Sequence, residues 1–416
     1  MKTHLSRRQF LVRTVGMTAV GRSIHVMAAD DHSTLMAGIE QSVIWHNRDG
    51  RGRPTWFHSR ACMIPDGKLA KALMTLQSIS GSDVFGPVHW TMSSDLGRSW
   101  SAPQPIDGLG RRSIGGQMEE GVCDFVPEYH APTRTALAIG HNVYYKAGRL
   151  ASPQGPRHPV YVVRNAEGRW STPQKLVWDD PRGTAIYTCG CSQRTVLPDG
   201  NLLIPLSFGP KDRKDRAVTT ALCKFDGKTI TVLKLGNELR NAANRGLLEP
   251  SLTLLDGRHY LTIRAEDNRG HVAASDDGLN WNPAQPWAWD DGEPLVMSTT
   301  QQHWLVHSDA LFLVYTRKDK LNQNVMRWRA PLYVARVDRK TLRLIRRSEQ
   351  VAVPMIGDGI NDPTHVPHLG NFHVTNASPD ESWVTVGDCV ASAGWRGSLR
   401  LAQIRWSKPN RLVPGA

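Results

Sequence analysis

The clearest structural signal in this chain is the stretch of residues 248–281, LEPSLTLLDGRHYLTIRAEDNRGHVAASDDGLNW. It contains three short β-prone runs, and the turn signal Asp256-Gly257 separates the first two. The third run ends in the loop of residues 276–281, DDGLNW. An earlier segment that begins at Arg60 has the same plan and ends in the loop of residues 95–100, DLGRSW. A supersecondary unit that repeats in this way predicts a closed array of small sheets.

The rest of the chain extends this plan to six units. Residues 165–170 (NAEGRW) form a shortened copy of the same loop in the second unit. A strand-like segment at residues 39–53 precedes the first unit, and we expect it to close the array by pairing with the last sheet. Helical periodicity is weak and no linker splits the chain. The sequence therefore predicts an all-β fold, with residues 29–416 forming one six-bladed β-propeller of four-stranded antiparallel sheets. A two-domain β protein is the alternative.

The first 28 residues predict export rather than fold. Residues 6–12, SRRQFLV, match a twin-arginine pattern, and residues 26–28, VMA, offer a cleavage site with small residues. We therefore expect residues 1–28 to be a twin-arginine signal peptide and the protein to be periplasmic or secreted. No other run of about 18 apolar residues occurs, so we expect no membrane span.

The net charge and the cysteines indicate which ligands and metal ions to expect. The formal net charge is +13, which favours an anionic ligand. No nucleic-acid motif accompanies the basic balance, so we expect no nucleic-acid partner. The six cysteines show no zinc-ligand spacing, and we expect neither a metal site nor a cofactor. Buried free thiols are expected. A disulfide between Cys189 and Cys191 is the alternative, because the predicted compartment is oxidising.

The repeated loop carries a family resemblance. The pattern Ser-x-Asp-x-Gly-x-x-Trp at residues 93–100 resembles the Asp box of sialidases and related neuraminidase-repeat proteins. Residues 274–281 match it with Ala274 in the serine position. In this motif the aspartate caps backbone amides and the tryptophan packs between strands. We therefore expect Asp95 and Asp276 to be structural rather than catalytic.

The resemblance also implies site residues. Glu249-Pro250 followed by Arg264 is similar to the sialidase segment in which a glutamate tunes a nucleophilic tyrosine and an arginine grips a carboxylate. By position, the resemblance implies that Asp83 is the proton donor and that Glu249 is a base or charge partner. It also implies three arginines that bind the substrate carboxylate: Arg60, Arg264 and Arg329. Arg317, Arg327 and Arg396 compete with Arg329 for the third place, and Arg329 is chosen because it ends a polar loop just before a strand.

The sequence departs from the sialidase pattern in its late portion. No tyrosine follows Tyr333, whereas sialidases use a tyrosine nucleophile. Tyr315 and Tyr333 lie in apolar strand-like runs and are expected in the core. His141 and His303 are candidate acid–base groups, and Gln302 is a candidate substrate-binding group. The polar cluster at residues 124–130 is left unexplained by the sialidase plan.

Three functions remain open at this stage. The first is an exported sialidase-like glycoside hydrolase that acts on an anionic or otherwise polar carbohydrate. The second is a lyase of uronate-containing polysaccharides, in which a histidine or tyrosine removes the C5 proton. The third is a glycan-binding propeller without catalytic activity, because fold analogy alone does not fix function.

Overall fold

A computed structural model describes residues 35–47, 53–67, 69–178 and 180–413. The predicted signal peptide lies outside these residues. The described residues form six antiparallel sheets and contain no α-helix, only short 3₁₀ turns. The prediction of an all-β, six-bladed propeller is therefore confirmed. Within the same ranges, no helix has the length and apolar character needed to cross a bilayer.

Each blade is one sheet, and its strands follow one another along the chain. The strands of blades 1 to 3 are Thr55–Asp66, Leu69–Gly81, Val84–Ser93 and Gln104–Pro105; Arg112–Gly115, Met118–His130, Thr135–Lys146, Arg149–Leu150, Pro159–Arg164 and Gln174–Lys175; Ile186–Thr188, Thr195–Val196, Leu202–Gly209, Ala217–Phe225, Ile230–Leu235 and Leu239–Arg240. The strands of blades 4 to 6 are Leu247–Leu255, Arg258–Ala265, Gly270–Ser275 and Gln285–Pro286; His303–His307, Ala310–Tyr315, Leu332–Asp338, Arg343–Leu344 and Gln350–Val353; His368–Leu369, His373–Ser378, Glu381–Val390, Arg396–Trp406 and Met36–His46. The 3₁₀ turns are Ala131–Thr133, Pro181–Gly183, Met326–Trp328, Arg346–Ser348, Pro363–His365 and Ala391–Ala393.

The predicted four-stranded plan describes blades 1 and 4 directly. The other blades have five or six strands because short edge strands of two to four residues extend the same sheet. Inner strands of neighbouring blades pack against one another: Thr55–Asp66 contacts Met118–His130 and His373–Ser378, and His303–His307 contacts Leu247–Leu255 and His373–Ser378. These strands line the axis.

The N-terminal strand closes the ring. Met36–His46 pairs antiparallel with Arg396–Trp406 and becomes the outer strand of blade 6. The predicted pairing between the first segment and the last sheet is confirmed. Closure ties the two ends of the described chain into one sheet, so blade 6 has no unpaired edge at Arg396–Trp406.

The Asp boxes are tight turns held by a carboxylate, as predicted, but the second one is built one residue later than expected. In the first box, Asp95 Oδ1 accepts from Ser99 N at 2.9 Å and from Ser93 Oγ at 2.8 Å. In the second box Asp277, not Asp276, accepts from the backbone N–H groups of residues 279 and 280. The side chain of Asp276 is 96% exposed. The expectation that Asp276 caps the turn was wrong because the turn is one residue shorter there. The capping hydroxyl comes from Ser275 and not from the position of Ala274.

The tryptophans of these loops join neighbouring blades. Trp281 Nε1 donates to Thr220 Oγ1 of blade 3 at 2.9 Å. The ring of Trp100 lies 6.1 Å from that of Trp383 in blade 6. Trp170 of the shortened loop packs on blade 1 in the same edge-to-face manner. Each loop therefore fixes its blade against the preceding one.

The remaining core predictions also stand. All six cysteines are free and buried, so Cys189 and Cys191 form no bridge in this structure. Tyr315 and Tyr333 are buried in blade 5, where the Tyr315 hydroxyl donates to Glu349 Oε1 at 2.6 Å. Both tyrosines are therefore core residues, as expected.

The first Asp box generates a prediction about stability. Hydrogen bonds from Ser99, first through its side chain, lower the pKa of Asp95 from 3.8 to about 2. Because the folded-state pKa is depressed, the stabilisation is complete above pH ~4 and is lost as the pH falls towards 2. Asp95→Asn should therefore lower Tm at pH 6, and the difference from wild type should shrink by pH 2. The exposed Asp107→Asn is the control, and thermal unfolding followed by circular dichroism is the measurement. A difference that stays constant over this pH range would contradict the assignment.

Candidate functional site

Three inner strands share one irregularity. Residues 58–59 of blade 1, 124–125 of blade 2 and 249–250 of blade 4 each stand opposite a single residue of the neighbouring strand. The first residue of each β-bulge has a positive φ, with values of 50° at His58, 62° at Asp124 and 43° at Glu249. Positive φ is uncommon for residues with a Cβ and concentrates at functional sites, and bulges re-aim side chains. These three positions define the candidate site.

The carboxylate of Asp124 connects blades across the axis. Its Oδ1 accepts from Arg60 Nη2 and from Asn371 Nδ2, the latter at 3.2 Å. His58 Nδ1 lies 3.2 Å from the same oxygen. Asn371 Nδ2 also lies 3.2 Å from Cys191 Sγ. Because these residues come from blades 1, 2, 3 and 6, the contacts span the centre of the propeller, and we call the five residues the Asp124 cluster.

The charge of the Asp124 cluster is balanced internally. Burial lowers the pKa of His58 to about 4, so the imidazole is neutral at ordinary pH. Burial acts to raise the pKa of Asp124, but the neighbouring His58 and Arg60 outweigh it and hold that pKa well below its usual range. Arg60 is fully buried, and its guanidinium faces a charged carboxylate of the protein itself. The structure therefore places Arg60 in the buried centre of the Asp124 cluster, where its guanidinium is already paired with Asp124.

Two further arginines meet beside Glu249. Arg264 Nη1 donates to Glu249 Oε1 at 2.6 Å, and its Nε donates to Thr299 Oγ1 at 3.1 Å. Arg327 Nη2 donates to the carbonyl of Thr299. The two guanidinium groups thus share Thr299 as a neighbour. Within the described ranges Arg327 has no carboxylate partner.

Arg329 joins these arginines to the Asp124 cluster. Its Nη2 donates to Asn371 Oδ1 at 2.9 Å, while its buried Nε has no hydrogen-bond partner in the described part of the chain. Burial and the charge of Arg264 lower the pKa of Arg329. Burial, followed by the charges of Arg329 and Arg264, lowers the pKa of Arg327 to about 9. We call Arg264, Arg327 and Arg329 the arginine group, and its mutual repulsion makes the site favourable for an anion.

Two carboxylates accompany the arginine group. Glu249 Oε2 is buried, and no hydrogen-bond partner for it is found among the described residues. Asp83 lies in the hairpin turn of blade 1 with a φ of 54°, and its side chain is exposed. The charge of Asp83 acts on the pKa values of Arg327 and Arg329 in opposition to burial. Asp83 therefore lies on the same side of the molecule as the arginine group.

Exposure rises along the axis from the Asp124 cluster towards Asp83. Arg60 is 0% exposed, whereas the side chain of Glu249 is 26% exposed and Asp83 is open to solvent. The arginine group thus lies between a buried floor and an open mouth.

The predicted histidines lie deeper than this mouth. His141 is buried, and its Nε2 is 3.3 Å from Cys123 Sγ. Burial and the charge of Arg157 hold the pKa of His141 well below its usual range. His303 is fully buried, its Nδ1 lies 2.8 Å from Ser251 Oγ, and burial lowers its pKa to about 3. Neither imidazole contacts the arginine group within the described structure.

Gln302 is also removed from the mouth. Its Oε1 accepts from Thr262 Oγ1 at 2.6 Å, and Trp287 Nε1 donates to the same hydroxyl at 3.1 Å. Gln302 therefore belongs to the contact between blades 4 and 5. The structure brings Glu249, Arg264 and Arg329 together, with Arg60 in the buried Asp124 cluster behind them. His303 and Gln302 lie elsewhere, and His141 lies beside Asp124.

A separate cavity of about 240 Å³ lies further along the axis. Gln193 and His373 are in its wall, and Gln193 bonds both backbone groups of Trp304 in blade 5 at 2.7 and 2.9 Å. Glu128 and Arg194 also line this cavity, and they form an ion pair with each other at 3.0 Å. The two charges in its lining are thus paired with each other, whereas Arg327 has no carboxylate partner within the described ranges.

Sequence reasoning did not select four residues of the site: His58, Cys191, Arg327 and Asn371. Asp124 was noticed only as part of an unexplained polar cluster. The signal that could have found these residues is their position: His58, Asp124 and Glu249 are each the first residue of a two-residue bulge in an inner strand. That equivalence becomes visible only when the register of the three bulges is known.

Comparison with known proteins supports the fold assignment. No family model matches this chain, and no curated protein matches it. Among solved structures, a Dyadobacter fermentans protein of unknown function is similar with a TM-score of 0.60 and 12% identity, covering 89% of this chain and 99% of that one. Trypanosoma rangeli sialidase with the inhibitor DANA has a TM-score of 0.58 and 15% identity, covering 84% of this chain and 55% of that one. The Hadza microbial sialidase Hz136 has a TM-score of 0.59 and 13% identity, covering 88% and 68%.

These similarities show a shared propeller fold. The resemblance to sialidases noted from the Asp box is confirmed at the level of structure. The chain spans only about half the length of the inhibitor-bound Trypanosoma rangeli protein. Activity and substrate do not follow from identities this low.

The Asp124 cluster generates a prediction about stability. Asp124→Asn keeps the shape of the side chain but leaves the buried Arg60 without a counter-charge. Breaking a buried ion pair from one side costs about 3–5 kcal/mol, so the free energy of unfolding should fall by that amount. The control is Asp66→Asn, which removes a surface pair with Lys71 whose side chains are 52% and 45% exposed and which should cost about 0–1 kcal/mol. Urea unfolding measures both, and equal losses would show that Asp124 does not anchor Arg60.

Proposed function

We propose that the protein is a glycoside hydrolase acting on glycans that contain a carboxylate-bearing sugar. The observation that carries this proposal is the meeting of Arg264, Arg327 and Arg329 beside Glu249 at the open end of the axis. Guanidinium groups bind carboxylates through paired, charge-assisted hydrogen bonds. The fold shared with sialidases supports a carbohydrate substrate. Export, predicted from residues 1–28, would bring the protein to extracellular glycans.

The anion-binding role falls on the arginine group rather than on Arg60. Arg60 is fully buried and its charge is met by Asp124. Arg327 has no carboxylate partner within the described ranges, and the Nε of Arg329 has no hydrogen-bond partner there. A substrate carboxylate placed here would gain ion pairing without displacing Asp124.

The catalytic roles follow from the two carboxylates. Asp83, at the mouth, would donate a proton to the leaving oxygen, and Glu249 would accept a proton from the attacking water through its unpartnered Oε2. The two buried tyrosines of blade 5 lie in the core, so no late tyrosine supports a covalent glycosyl intermediate. Direct attack by water with inversion at the anomeric carbon fits this set of residues.

The alternatives draw less support from the site. A lyase needs a base beside the C5 proton of a uronate, yet His141 and His303 are both buried away from the arginine group. A binding protein without activity would use the arginine group alone and would not need Asp83 or Glu249. Product analysis separates the three functions.

Glu249→Gln generates the first test of this function. Purified wild-type protein is incubated with sialosides, uronate-containing polysaccharides and neutral oligosaccharides, and the products are analysed by mass spectrometry. We expect cleavage of a carboxylate-bearing glycan with the gain of one water, and a fall in kcat of about 10²–10⁴ in Glu249→Gln. The matched control, Glu167→Gln, changes an exposed glutamate of blade 2 and should retain full activity. Cleavage without added water would indicate a lyase. Full activity of Glu249→Gln would show that Glu249 is not the general base.

Arg327→Ala generates a test of substrate recognition. The variant loses a guanidinium whose described contact is to a backbone carbonyl, so the fold should persist. We expect KM for the carboxylate-bearing substrate to rise about tenfold, the loss of one such contact being ~1.4 kcal/mol, with no change for its methyl ester. The control is Arg98→Ala at an exposed position of the first Asp box. An equal rise in KM for the acid and for its methyl ester would show that Arg327 does not bind the carboxylate.

A further inference from the structure

The hairpin of blade 2 brings three metal-ligating side chains together. Cys123, Asp124 and His141 each offer one ligand atom, and these atoms all lie within 4.8 Å of one another. Cys123 and His141 are directly opposite in the register of Met118–His130 and Thr135–Lys146. All three side chains are buried, with residue exposures of 4%, 7% and 7%. Among the described contacts, Asn371 links this set to the arginine group, because it bonds both Asp124 and Arg329.

The bulge of blade 2 explains this convergence. Consecutive residues of a regular strand point to opposite faces, so Cys123 and Asp124 would normally be separated. The two-for-one register at residues 124–125 turns Asp124 to the side of Cys123. Gly190 packs against the far edge of the imidazole, because a Cβ there would meet His141 Nδ1 at 1.8 Å. Because residue 190 has no side chain, the His141 imidazole fits here with its Nε2 directed at Cys123 Sγ.

His141 is poorly satisfied as a purely structural residue. Its Nδ1 is buried without a hydrogen-bond partner among the described residues, and its Nε2 contacts only a thiol. Buried polar atoms are nearly always hydrogen-bonded, and a thiol is a weak donor and acceptor. The Sγ–Nε2 distance of 3.3 Å is close to the ~3.5 Å that separates two ligands of a tetrahedral zinc ion with bonds of 2.0–2.3 Å.

The two carboxylate oxygens of Asp124 differ in their described contacts. Its described contacts with Arg60, His58 and Asn371 all go to Oδ1. None of these three contacts is made to Oδ2, and the bonds to Oδ1 orient the carboxylate as outer-shell partners of metal ligands do. Cys191 stands next to this group, since Asn371 Nδ2 is 3.2 Å from both Asp124 Oδ1 and Cys191 Sγ.

We propose that Cys123, Asp124 and His141 bind one zinc-type divalent transition-metal ion, with a water molecule as the fourth ligand. A thiolate, an imidazole and a carboxylate are the donors that zinc takes in proteins. The ion would fix Asp124 and, through it, the cluster at the axis. Conventional zinc spacing is absent from the sequence because the ligands are brought together by a bulge and by the pairing of two strands.

Metal binding tests the proposal without any activity assay. Purified full-length protein is stripped with a chelator, and Zn²⁺ binding is measured by equilibrium dialysis with elemental analysis. Co²⁺ is then titrated, because a cobalt–thiolate bond gives a charge-transfer band in the near ultraviolet. We expect about one ion per chain and a thiolate band. Cys123→Ser and His141→Gln should each weaken binding by at least the ~10–100-fold that loss of an outer-shell partner costs.

Cys223→Ser is the matched control, because Cys223 is an equally buried thiol in the core of blade 3 and its loss should leave binding unchanged. Less than one tenth of an ion per chain, or a cobalt complex without a thiolate band in the wild type, would overturn the proposal. Unchanged binding in Cys123→Ser would do the same and would indicate adventitious surface binding. The wild-type cobalt spectrum decides the matter even where a variant fails to fold.

Discussion

The structure of the site depends on one buried ion pair. Arg60 is completely buried at the axis, and the carboxylate of Asp124 is what compensates its charge. A buried charge that lacks a partner is severely destabilising, so blade 1 and blade 2 must meet here in one arrangement. Asn371 extends the same contact to blade 6. The floor of the candidate site is thus fixed by the interaction that organises the centre of the propeller.

This pairing changes how the resemblance to sialidases should be interpreted. The fold is shared, and arginines occupy the axis at the positions that the resemblance implies. However, Arg60 is engaged by a carboxylate of the chain itself, while the arginine group lies nearer to solvent. We therefore propose that the anion site lies nearer to the mouth and includes Arg327. The same cluster supplies Asp124 Oδ2 to the proposed metal site, so the floor would serve structure while the mouth serves the substrate.

The fold was predictable because its signals are local. The loops at residues 95–100 and 276–281 repeat one turn, and turn chemistry with apolar runs determines small sheets. The one-residue error at Asp276 arose because two adjacent aspartates precede Gly278, and only backbone hydrogen bonds show which one caps the turn.

The site was predictable in part. Arg60, Glu249 and Arg264 lie in the two segments where the resemblance is strongest, and the structure brings them to one end of the axis with Arg329. His141, His303 and Gln302 were chosen for their chemistry alone. In the structure they are buried and do not lie at the mouth. Asn371 and Cys191 could not be found from sequence, because their contacts with Asp124 bridge long separations along the chain. Such contacts follow from closure of the ring and not from any local pattern.

The central claim is that the arginine group at the mouth, and not Arg60, holds the carboxylate of the substrate. A crystal structure of the protein with a carboxylate-bearing sugar bound tests this most directly. The account predicts that the sugar carboxylate contacts Arg327 and Arg329 while the bond between Arg60 and Asp124 persists. A carboxylate bound to Arg60 with Asp124 displaced, or a sugar bound in the cavity lined by Gln193 and His373, would contradict it.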